Sequence, residues 1–168
     1  MRTALLLGAT GLTGRHCLNL LLEDSDYKKV IVLARRALVK DGQELQHEKL
    51  EQHLVDFDAL ENHASLFQVD DVFCCLGTTI KKAGSKAAFR KVDLDYPLSA
   101  ASIASTNQCK QFLVISAPES GTNSPFFYGR VKGEMEERVG QLPFEGTYVF
   151  RPSLLIGERE EGARLAEG

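Results

Sequence analysis

The 168-residue sequence predicts an α/β fold with a doubly wound parallel sheet. Short apolar segments alternate along the chain with longer segments whose apolar residues recur at helical spacing. One short segment, Lys-Val-Ile-Val-Leu-Ala at residues 29–34, is continuously apolar after its first residue. Such a run is typical of a strand that helices cover on both faces. Because strands that alternate with helices form parallel sheets with right-handed crossovers, the whole chain fits one such sheet.

The elements can be placed in order along the chain. A first β-α-β unit consists of a strand at residues 3–7, a helix at 12–22 and the strand at 29–34. A polar, hairpin-like stretch follows as far as residue 47. Pro97 marks either a first-turn proline or a kink in its helix. The later strands and helices alternate, with strands near 51–55, 72–76, 112–116 and 146–150 and helices at 59–67, 85–107 and 128–141.

The composition is that of one soluble globular domain, which we assign to residues 1–168. Hydrophobic residues make up 43% and charged residues 26%, values that lie well away from those of disordered or fibrous chains. The 20 basic and 23 acidic residues form no run of like charge, so no nucleic-acid partner is expected. A chain of this size buries a core that needs neither disulfides nor a metal ion, and we predict no metal site.

The expected compartment is the cytoplasm. The apolar stretch at the amino terminus ends at Gly8, which makes it too short for a signal peptide, and no apolar run has the length of a membrane span. Four cysteines without CxxC spacing are expected to be buried free thiols, at Cys17, Cys74, Cys75 and Cys109. Free thiols agree with a reducing compartment.

The turn after the first strand is rich in glycine and reads Gly-Ala-Thr-Gly-Leu-Thr-Gly at residues 8–14. In this position an early glycine permits the tight turn, a middle one lets the backbone approach a pyrophosphate, and a last one permits close packing of helix and sheet. The following helix offers its unpaired N–H groups to phosphates. We therefore predict a dinucleotide-binding turn rather than a merely structural one, with contacts from Gly8, Thr10, Gly11, Leu12 and Gly14.

Two arginines at the end of the second strand favour NADP(H) over NAD(H). A protein that uses NAD carries Asp or Glu there to hold the ribose 2′-hydroxyl, whereas this chain has Arg35 and Arg36. A guanidinium pairs bidentately with a phosphate and stacks on adenine. The alternative is that both arginines only solvate the end of the strand.

Two further segments are placed to meet the cofactor. Asp56 and Phe57 follow the third strand, where a carboxylate would meet the adenine amino group. The turn after the fourth strand consists of Leu76, Gly77, Thr78 and Thr79, and it would let the chain pass close to the cofactor ribose. The alternative is that it is an ordinary turn without a ligand.

The candidate catalytic residues follow the fifth strand. Tyr128 and Lys132 stand at i and i+4 of a predicted helix, so their side chains lie on one face. A nearby ammonium would stabilise the phenolate of Tyr128 and so make the phenol a better acid-base catalyst, and Lys132 would also hold the nicotinamide ribose. Ser116 ends the fifth strand, from where its hydroxyl would hydrogen-bond a substrate carbonyl. The alternatives are a solvent-facing helix pair and a strand-end turn residue.

Four motifs, GATGLTG, CLGTT, YGRVK and FRPSLLIG, occur in this order along nearly the whole chain. With them the chain resembles the atypical short-chain dehydrogenase/reductases, in particular their HIV Tat-interacting-protein-like branch. The resemblance implies an NADPH-binding Rossmann fold with the cofactor contacts given above. It also implies that Pro152, Ser153 and Leu154 lie beside the nicotinamide. Members of the family continue with further helices and a strand that close the substrate pocket, and some are credited with regulatory binding.

The leading hypothesis is reduction of a small carbonyl compound by NADPH, with Ser116, Tyr128 and Lys132 as catalytic residues. The main alternative is a non-catalytic NADP(H)-binding regulator that acts through a protein partner; a homodimer is also left open. A nucleotide-sugar epimerase or dehydratase would use the same tyrosine and lysine, but it normally needs a sizeable carboxyl-terminal substrate domain.

Overall fold

A computed structural model describes residues 1–40, 42–153 and 155 and confirms the doubly wound parallel sheet. We number its strands along the chain, from β1 to β6, as Arg2–Leu7, Tyr27–Ala34, Leu50–Leu54, Asp71–Cys74, Gln111–Ile115 and Gly146–Phe150. All neighbouring strands of this main sheet pair in parallel, in the order β3-β2-β1-β4-β5-β6. The order reverses between β1 and β4, and a crevice at the carboxyl ends of the strands is where such sheets bind ligands.

The connecting segments are mostly helical. The predicted helix at 59–67 is instead a 3₁₀ segment, Phe57–Phe67, which is interrupted where Ala59 and His63 leave helical geometry at φ −137° and −113°. A short antiparallel ribbon pairs Val39–Lys40 with Gln43–Glu44, within the stretch expected to form a hairpin. The α-helices, from α1 to α5, are Leu12–Glu23, Ile80–Ala83, Lys86–Arg90, Tyr96–Thr106 and Phe127–Gly140.

A single turn of π-helix, Lys91–Asp95, joins α3 to α4 without a break in the helical backbone, and we call this segment the π-turn. Pro97 lies in the first turn of α4, directly after this π-turn. The missing N–H of proline therefore falls where the hydrogen-bonding pattern of the helix already changes. Pro97 is thus a first-turn proline, which decides between the two possibilities left by the sequence.

The core lies on both faces of the sheet. Side chains of β1 alternate between the two faces, with Leu5 and Leu7 in one buried cluster and Ala4 and Leu6 in the other. All four are completely buried, as expected for a strand between two layers of helices. One cluster packs beneath α4, α5 and the 3₁₀ segment, and the other beneath α1.

A polar cluster closes the amino-terminal edge of the sheet. Asp71 is completely buried at the start of β4, where it is paired with Arg2 and accepts a hydrogen bond from Tyr27 Oη at 2.8 Å. Its neighbour Asp70 accepts from the amide of Thr3 at 2.8 Å. These contacts tie β1, β2 and β4 together at the end opposite to the predicted site.

The cysteines are free thiols; Cys74 and Cys109 are buried, as predicted, whereas Cys17 and Cys75 are only partly buried. In the part of the chain that the structure describes, no helix combines the length and apolarity needed to cross a membrane. No group of three or more histidine, cysteine or acidic side chains is arranged for a metal ion within those same residues.

Candidate active site

The predicted site segments meet at the carboxyl-terminal edge of the sheet, because each of them directly follows a parallel strand. The turn Gly8–Gly14 follows β1, the arginines follow β2, and Leu76–Thr79 follow β4. Ser116 is the first residue after β5. In a parallel sheet all these strand ends lie at one edge, so the segments face the crevice at the order reversal.

The glycine turn is built by close contact between backbone segments. Gly8 has φ +84°, and a Cβ there would lie 2.5 Å from the carbonyl oxygen of Cys75. A Cβ on Gly14 would lie 2.0 Å from the carbonyl oxygen of Gly8. Both positions therefore require glycine, since rigid backbone stands in the way. Gly11 is different, because a Cβ there would meet only Gly8 O at 3.4 Å.

The start of α1 is suited to phosphate. Gly11 caps the helix without any side-chain hydrogen bond, and the first turn of α1 contains no acidic residue. Its free N–H groups are therefore not satisfied by a capping side chain, and no carboxylate competes with an anion. Thr10 and Gly11 are exposed and Leu12 is half-buried, so the turn is open to a ligand. These residues fit the pyrophosphate of a dinucleotide.

Arg35 and Arg36 are both exposed immediately after β2. Neither makes an ion pair with a residue that the structure describes. Two guanidiniums that are not engaged with carboxylates there remain available for a ligand phosphate.

Asp56 and Phe57 have different roles from one another. Asp56 is exposed, and its Oδ1 accepts a hydrogen bond from the amide of Asp58 at 2.9 Å, which caps the 3₁₀ segment. Phe57 is buried in the core, and its ring centroid lies 5.4 Å from that of Tyr96. The ring of Phe57 is thus committed to packing, and only its backbone remains for a contact with adenine.

The turn after β4 is held from beneath by an aspartate that the sequence analysis did not identify. The amide of Thr78 donates to Oδ2 of Asp93 at 2.9 Å. Thr79 caps α2 by accepting from the amide of Lys82 at 3.1 Å. Gly77 is exposed above this contact, and a Cβ there would lie 3.6 Å from Asp93 Oδ1.

Lys132 forms a buried ion pair with the same aspartate. Its Nζ lies 2.8 Å from Asp93 Oδ1 and 3.4 Å from the carbonyl oxygen of Ile115. The contact with Asp93 is an ion pair rather than a well-aligned hydrogen bond. An ammonium has three protons, so at least one remains for a ligand beside these two contacts. Burial raises the pKa of Asp93, while the Lys132 ammonium and the Thr78 amide oppose that rise. The only signal in the sequence was an acidic residue between apolar Val92 and Leu94.

Tyr128 lies one turn before Lys132 on α5. It is 37% exposed, whereas Lys132 is 2% exposed. The tyrosine ring packs against Phe89 with 5.3 Å between centroids, and Phe89 also packs against Phe127 at 5.9 Å. The shared helix face predicted for Tyr128 and Lys132 therefore runs from an aromatic rim to a buried charge.

Ser116 is buried and belongs to a hydroxyl chain. Its Oγ lies 3.1 Å from Oγ of Ser120, and Ser120 donates to the carbonyl oxygen of Ala117 at 2.6 Å. Because Ser120 uses its proton on that carbonyl, Ser116 is the donor to Ser120. Sequence reasoning missed Ser120, since nothing in a polar loop marks one serine above another.

Two glycines bring the loop after β5 against α5. A Cβ on Gly129 would lie 2.3 Å from Ser124 Oγ, and a Cβ on Gly133 would lie 2.3 Å from the carbonyl carbon of Gly121. The amide of Gly121 donates to the carbonyl of Gly129 at 3.1 Å. This contact sets the loop that carries Ser120 beside the helix that carries Tyr128.

The last predicted cofactor residues follow β6. Pro152 is half-buried and Ser153 is exposed, directly after Arg151, which pairs with Glu136 of α5. Leu154, which the resemblance also placed beside the nicotinamide, lies outside the described residues.

A parallel sheet of this order, a glycine turn that requires glycine and an open helix start together define a dinucleotide-binding Rossmann domain. The family of the semialdehyde dehydrogenase NAD-binding domain matches residues 3–94 of the chain. The chain belongs to this family, and more specifically it is a member of the atypical short-chain dehydrogenase/reductases in the HIV Tat-interacting-protein-like branch.

Named relatives support this assignment. Protein HTATIP2 of Rattus norvegicus is 40% identical over 161 residues, which cover 95% of this chain and 65% of that protein. Mitochondrial protein FMP52 of Meyerozyma guilliermondii is 34% identical over 160 residues, which cover 94% of this chain and 66% of that protein. Mitochondrial protein FMP52-2 of Scheffersomyces stipitis is 33% identical, with 98% and 71% covered. The chain therefore spans about two thirds of the length of these relatives. The cytoplasmic location expected from the sequence stays a prediction.

Solved structures share the fold. The WbmH enzyme of Bordetella bronchiseptica in complex with NAD+ has a TM-score of 0.77 and 16% identity, over 97% of this chain and 59% of that one. UDP-glucose 4-epimerase of Thermotoga maritima, with UDP-glucose, has a TM-score of 0.69 and 18% identity, over 89% and 54%. The family and the fold indicate a nicotinamide dinucleotide as the cofactor of this chain.

Proposed function

We propose that this chain is the cofactor domain of an NADPH-dependent reductase whose substrate is a small carbonyl compound. The observation that carries the proposal is the geometry of α5. On this helix Tyr128 is partly exposed, and one turn further on Lys132 is buried with at least one proton left for a ligand.

The choice of NADPH rests on the end of β2. Arg35 and Arg36 are exposed there and not ion-paired with the described residues, and no carboxylate occupies the position that would bind a ribose 2′-hydroxyl. A 2′-phosphate would supply the negative charge that both guanidiniums lack. The first turn of α1 would hold the pyrophosphate, and Lys132 and the backbone of Gly77 would hold the nicotinamide ribose.

When bound, the dinucleotide supplies a hydride to the carbonyl carbon of the substrate. Tyr128 donates the phenolic proton to the carbonyl oxygen, so that hydride and proton together convert the carbonyl to an alcohol. Lys132 stabilises the phenolate that remains on Tyr128. The aromatic rim of Phe89 and Phe127 excludes water from one side of the phenol.

Ser116 would steady the negative charge on the carbonyl oxygen by donating a hydrogen bond. Its proton is directed at Ser120 in the present arrangement. For Ser116 to donate to a substrate, its hydroxyl must rotate away from Ser120, or a substrate must take the place of Ser120. A Ser120→Ala variant would leave the Ser116 proton free, and so its turnover should be equal to or above that of the unmodified protein.

The decisive experiment is a titration with NADPH and NADH followed by a screen of aldehydes and ketones. We expect NADPH to bind more tightly than NADH and Tyr128→Phe to lower turnover by about a hundredfold or more, with little change in NADPH affinity. Tyr148→Phe is the matched control, because Tyr148 is exposed on β6 and outside the site. Tight NADPH binding without turnover of any carbonyl compound would contradict the reductase and leave the regulator. Turnover that is unchanged in Tyr128→Phe would contradict the role given to Tyr128. Failure to bind either nucleotide would contradict both.

A further inference from the structure

Asp93 joins two segments of the site through its two carboxylate oxygens. It is completely buried in the π-turn between α3 and α4. Its Oδ1 is paired with Lys132 Nζ at 2.8 Å, and its Oδ2 accepts from the Thr78 amide at 2.9 Å. One carboxylate therefore fixes both the lysine of α5 and the turn after β4. Asp95, two residues further along the same π-turn, is exposed.

The surroundings of the Lys132 ammonium contain few other charges. From β4 it faces the Cys74 thiol, whose pKa burial raises to about 11, so this thiol is uncharged in the neutral range. From β5 it meets the uncharged carbonyl of Ile115. The residues that α4 buries carry no charge either, namely Pro97, Ala100, Ala101 and Ala104.

The charges on its own helix are accounted for in other ways. Glu136, one turn after Lys132, is paired with Arg151 beyond β6. Tyr128, one turn before Lys132, is a phenol that carries no charge until it ionises. Among the described residues that face Lys132, Asp93 thus supplies the negative charge that the ammonium contacts.

A buried ammonium depends on such a partner. An ammonium moved from water into the protein interior loses its hydration, and without a counter-ion it gives up its proton instead. A neutral amine at position 132 would not stabilise the phenolate of Tyr128, and it would bind a ribose hydroxyl less strongly than an ammonium does. Removal of the carboxylate alone leaves the ammonium buried without a counter-ion. An uncompensated buried charge destabilises a protein strongly.

We propose that Asp93 is a positioning residue of the site, which keeps Lys132 charged and holds it beside the Gly77–Thr78 turn where the nicotinamide ribose binds. This inference deepens the proposed function and rests on it for the identity of the ligand. In this proposal Asp93, a residue of the π-turn, determines whether Lys132 of α5 is charged.

The test is the pH dependence of NADPH affinity in Asp93→Asn. Asparagine keeps the size of the side chain and accepts from the Thr78 amide, but it has no charge. Between pH 7 and pH 9.5 we expect the Kd of the variant, measured by fluorescence titration, to rise about tenfold as Lys132 loses its proton. The Kd of the unmodified protein should change by less than about twofold over the same range.

Two further variants separate this effect from others. Asp95→Asn makes the same change of charge at the exposed acid of the same π-turn, and it should follow the unmodified protein at every pH. Lys132→Met removes the ammonium altogether, so its affinity should be weak and should show no added dependence on pH. A Kd in Asp93→Asn that equals the original, or that is raised equally at every pH, would overturn the proposal, because a merely structural role predicts either result.

A direct measurement covers the case in which Asp93→Asn does not fold. In protein labelled with ¹⁵N-lysine and free of nucleotide, the side-chain resonance of Lys132 is identified by its loss in Lys132→Met. An ammonium resonance at pH 8 in the unmodified protein supports the proposal, and a neutral amine overturns it. Because this readout needs neither NADPH nor a carbonyl substrate, the proposed reductase and the role of Asp93 can fail separately.

Discussion

Among the residues that the structure describes, two aspartates are completely buried, one at each edge of the sheet. Asp71 stands at the amino-terminal edge and Asp93 at the carboxyl-terminal edge. Burial raises the pKa of both side chains, and in each case a basic partner opposes the rise, Arg2 for Asp71 and Lys132 for Asp93. Judged by burial and charge alone, the two residues are equivalent.

Their partners make them different. Asp71 bonds to Arg2 and to Tyr27, and burial also raises the pKa of that tyrosine, so the whole cluster is a closed structural contact. Asp93 is paired with Lys132, which keeps at least one proton that the described residues do not use, and it accepts from the turn beside Gly77. The buried carboxylate of the predicted site is therefore the one whose partner retains a proton for a ligand and lies at the edge where such sheets bind ligands.

The largest effect is expected in the glycine turn, where the carboxyl edge depends on backbone contact rather than on charge. Gly14→Ala would place Cβ 2.0 Å from Gly8 O, and rigid backbone must move to admit it. We expect a loss of roughly 3 kcal/mol or more in the free energy of unfolding, with NADPH binding abolished. Gly11→Ala is the matched control for stability, since its Cβ has 3.4 Å and its φ of −79° suits any residue. Urea unfolding measures the stability of both variants and NADPH titration the loss of binding in Gly14→Ala. Equal losses of stability in the two variants would contradict this account of the turn.

The second prediction compares the two aspartates directly. Asp71→Ala leaves the hydroxyl of Tyr27 without its acceptor and Arg2, which is 39% exposed, without its carboxylate. We expect a loss of about 2–3 kcal/mol in the free energy of unfolding, measured by urea denaturation. The NADPH affinity of the folded variant should stay within about twofold, because the cluster lies at the opposite edge from the site.

The contrast with Asp93→Asn is the informative part. If Asp71→Ala also made NADPH affinity depend on pH, then the effect would come from loss of any buried carboxylate, and the distinction between the two edges would be lost. If neither variant changed the pH dependence, Asp93 would be a structural residue like Asp71.

The glycine turn and the buried pair also differ in how far the sequence could predict them. The turn could be found because its signal is local, three glycines between an apolar strand and a helix. The strands could be found for the same reason, since continuous apolar runs such as 29–34 mark them. The pairing of Asp93 with Lys132 could not be predicted, because it depends on how the π-turn packs against α5. No local sequence pattern indicates a π-turn.

The remaining differences have similar causes. Phe57 follows a strand at the expected place, but its ring is buried in the core rather than exposed to a ligand. Burial of an aromatic ring is favoured because it removes apolar surface from water. The helix expected at 59–67 became a 3₁₀ segment, a distinction that apolar spacing does not resolve over so few turns. The hydrogen bond between Ser116 and Ser120 belongs to a loop that packs closely against two glycines of α5, Gly129 and Gly133. Such a contact between distant segments has no local signal in the sequence.

The third prediction concerns charge at the exposed part of the carboxyl edge. Replacement of Arg35 and Arg36 together by alanine should weaken NADPH binding by about ten- to a hundredfold and leave NADH binding nearly unchanged. Arg138→Ala is the control, because Arg138 is an exposed arginine in the last turn of α5, away from the site. Fluorescence titration at two salt concentrations measures the effect, which should shrink as salt screens the phosphate contact. Equal weakening of NADPH and NADH would show that the arginines do not select the 2′-phosphate.

The smallest expected effect is at the amino edge, where Asp70 and Asp71 are neighbours whose pKa values shift in opposite directions. The Thr3 amide, and more weakly Lys110, lower the pKa of Asp70, whereas burial raises that of Asp71. Asp70 therefore contributes stability above its unfolded pKa of about 3.9 and loses it as pH falls through its lower folded value. Asp71 contributes in the other sense, because its stability is present below its unfolded pKa and is lost as pH rises through its higher folded value.

Asp70→Asn should separate these two contributions. We expect it to cost about 1 kcal/mol at pH 7, where the charged hydrogen bond to Thr3 is lost, and progressively less as pH falls toward 3. Urea denaturation at intervals between pH 7 and pH 3 measures the difference from the unmodified protein. In Asp70→Asn the free energy of unfolding should fall less steeply as pH decreases. Position 70 no longer titrates in that variant, and protonation of Asp71 stabilises the fold. A difference that grows as pH falls would mean that Asp70 has the raised pKa, and the assignment of the two neighbours would have to be reversed.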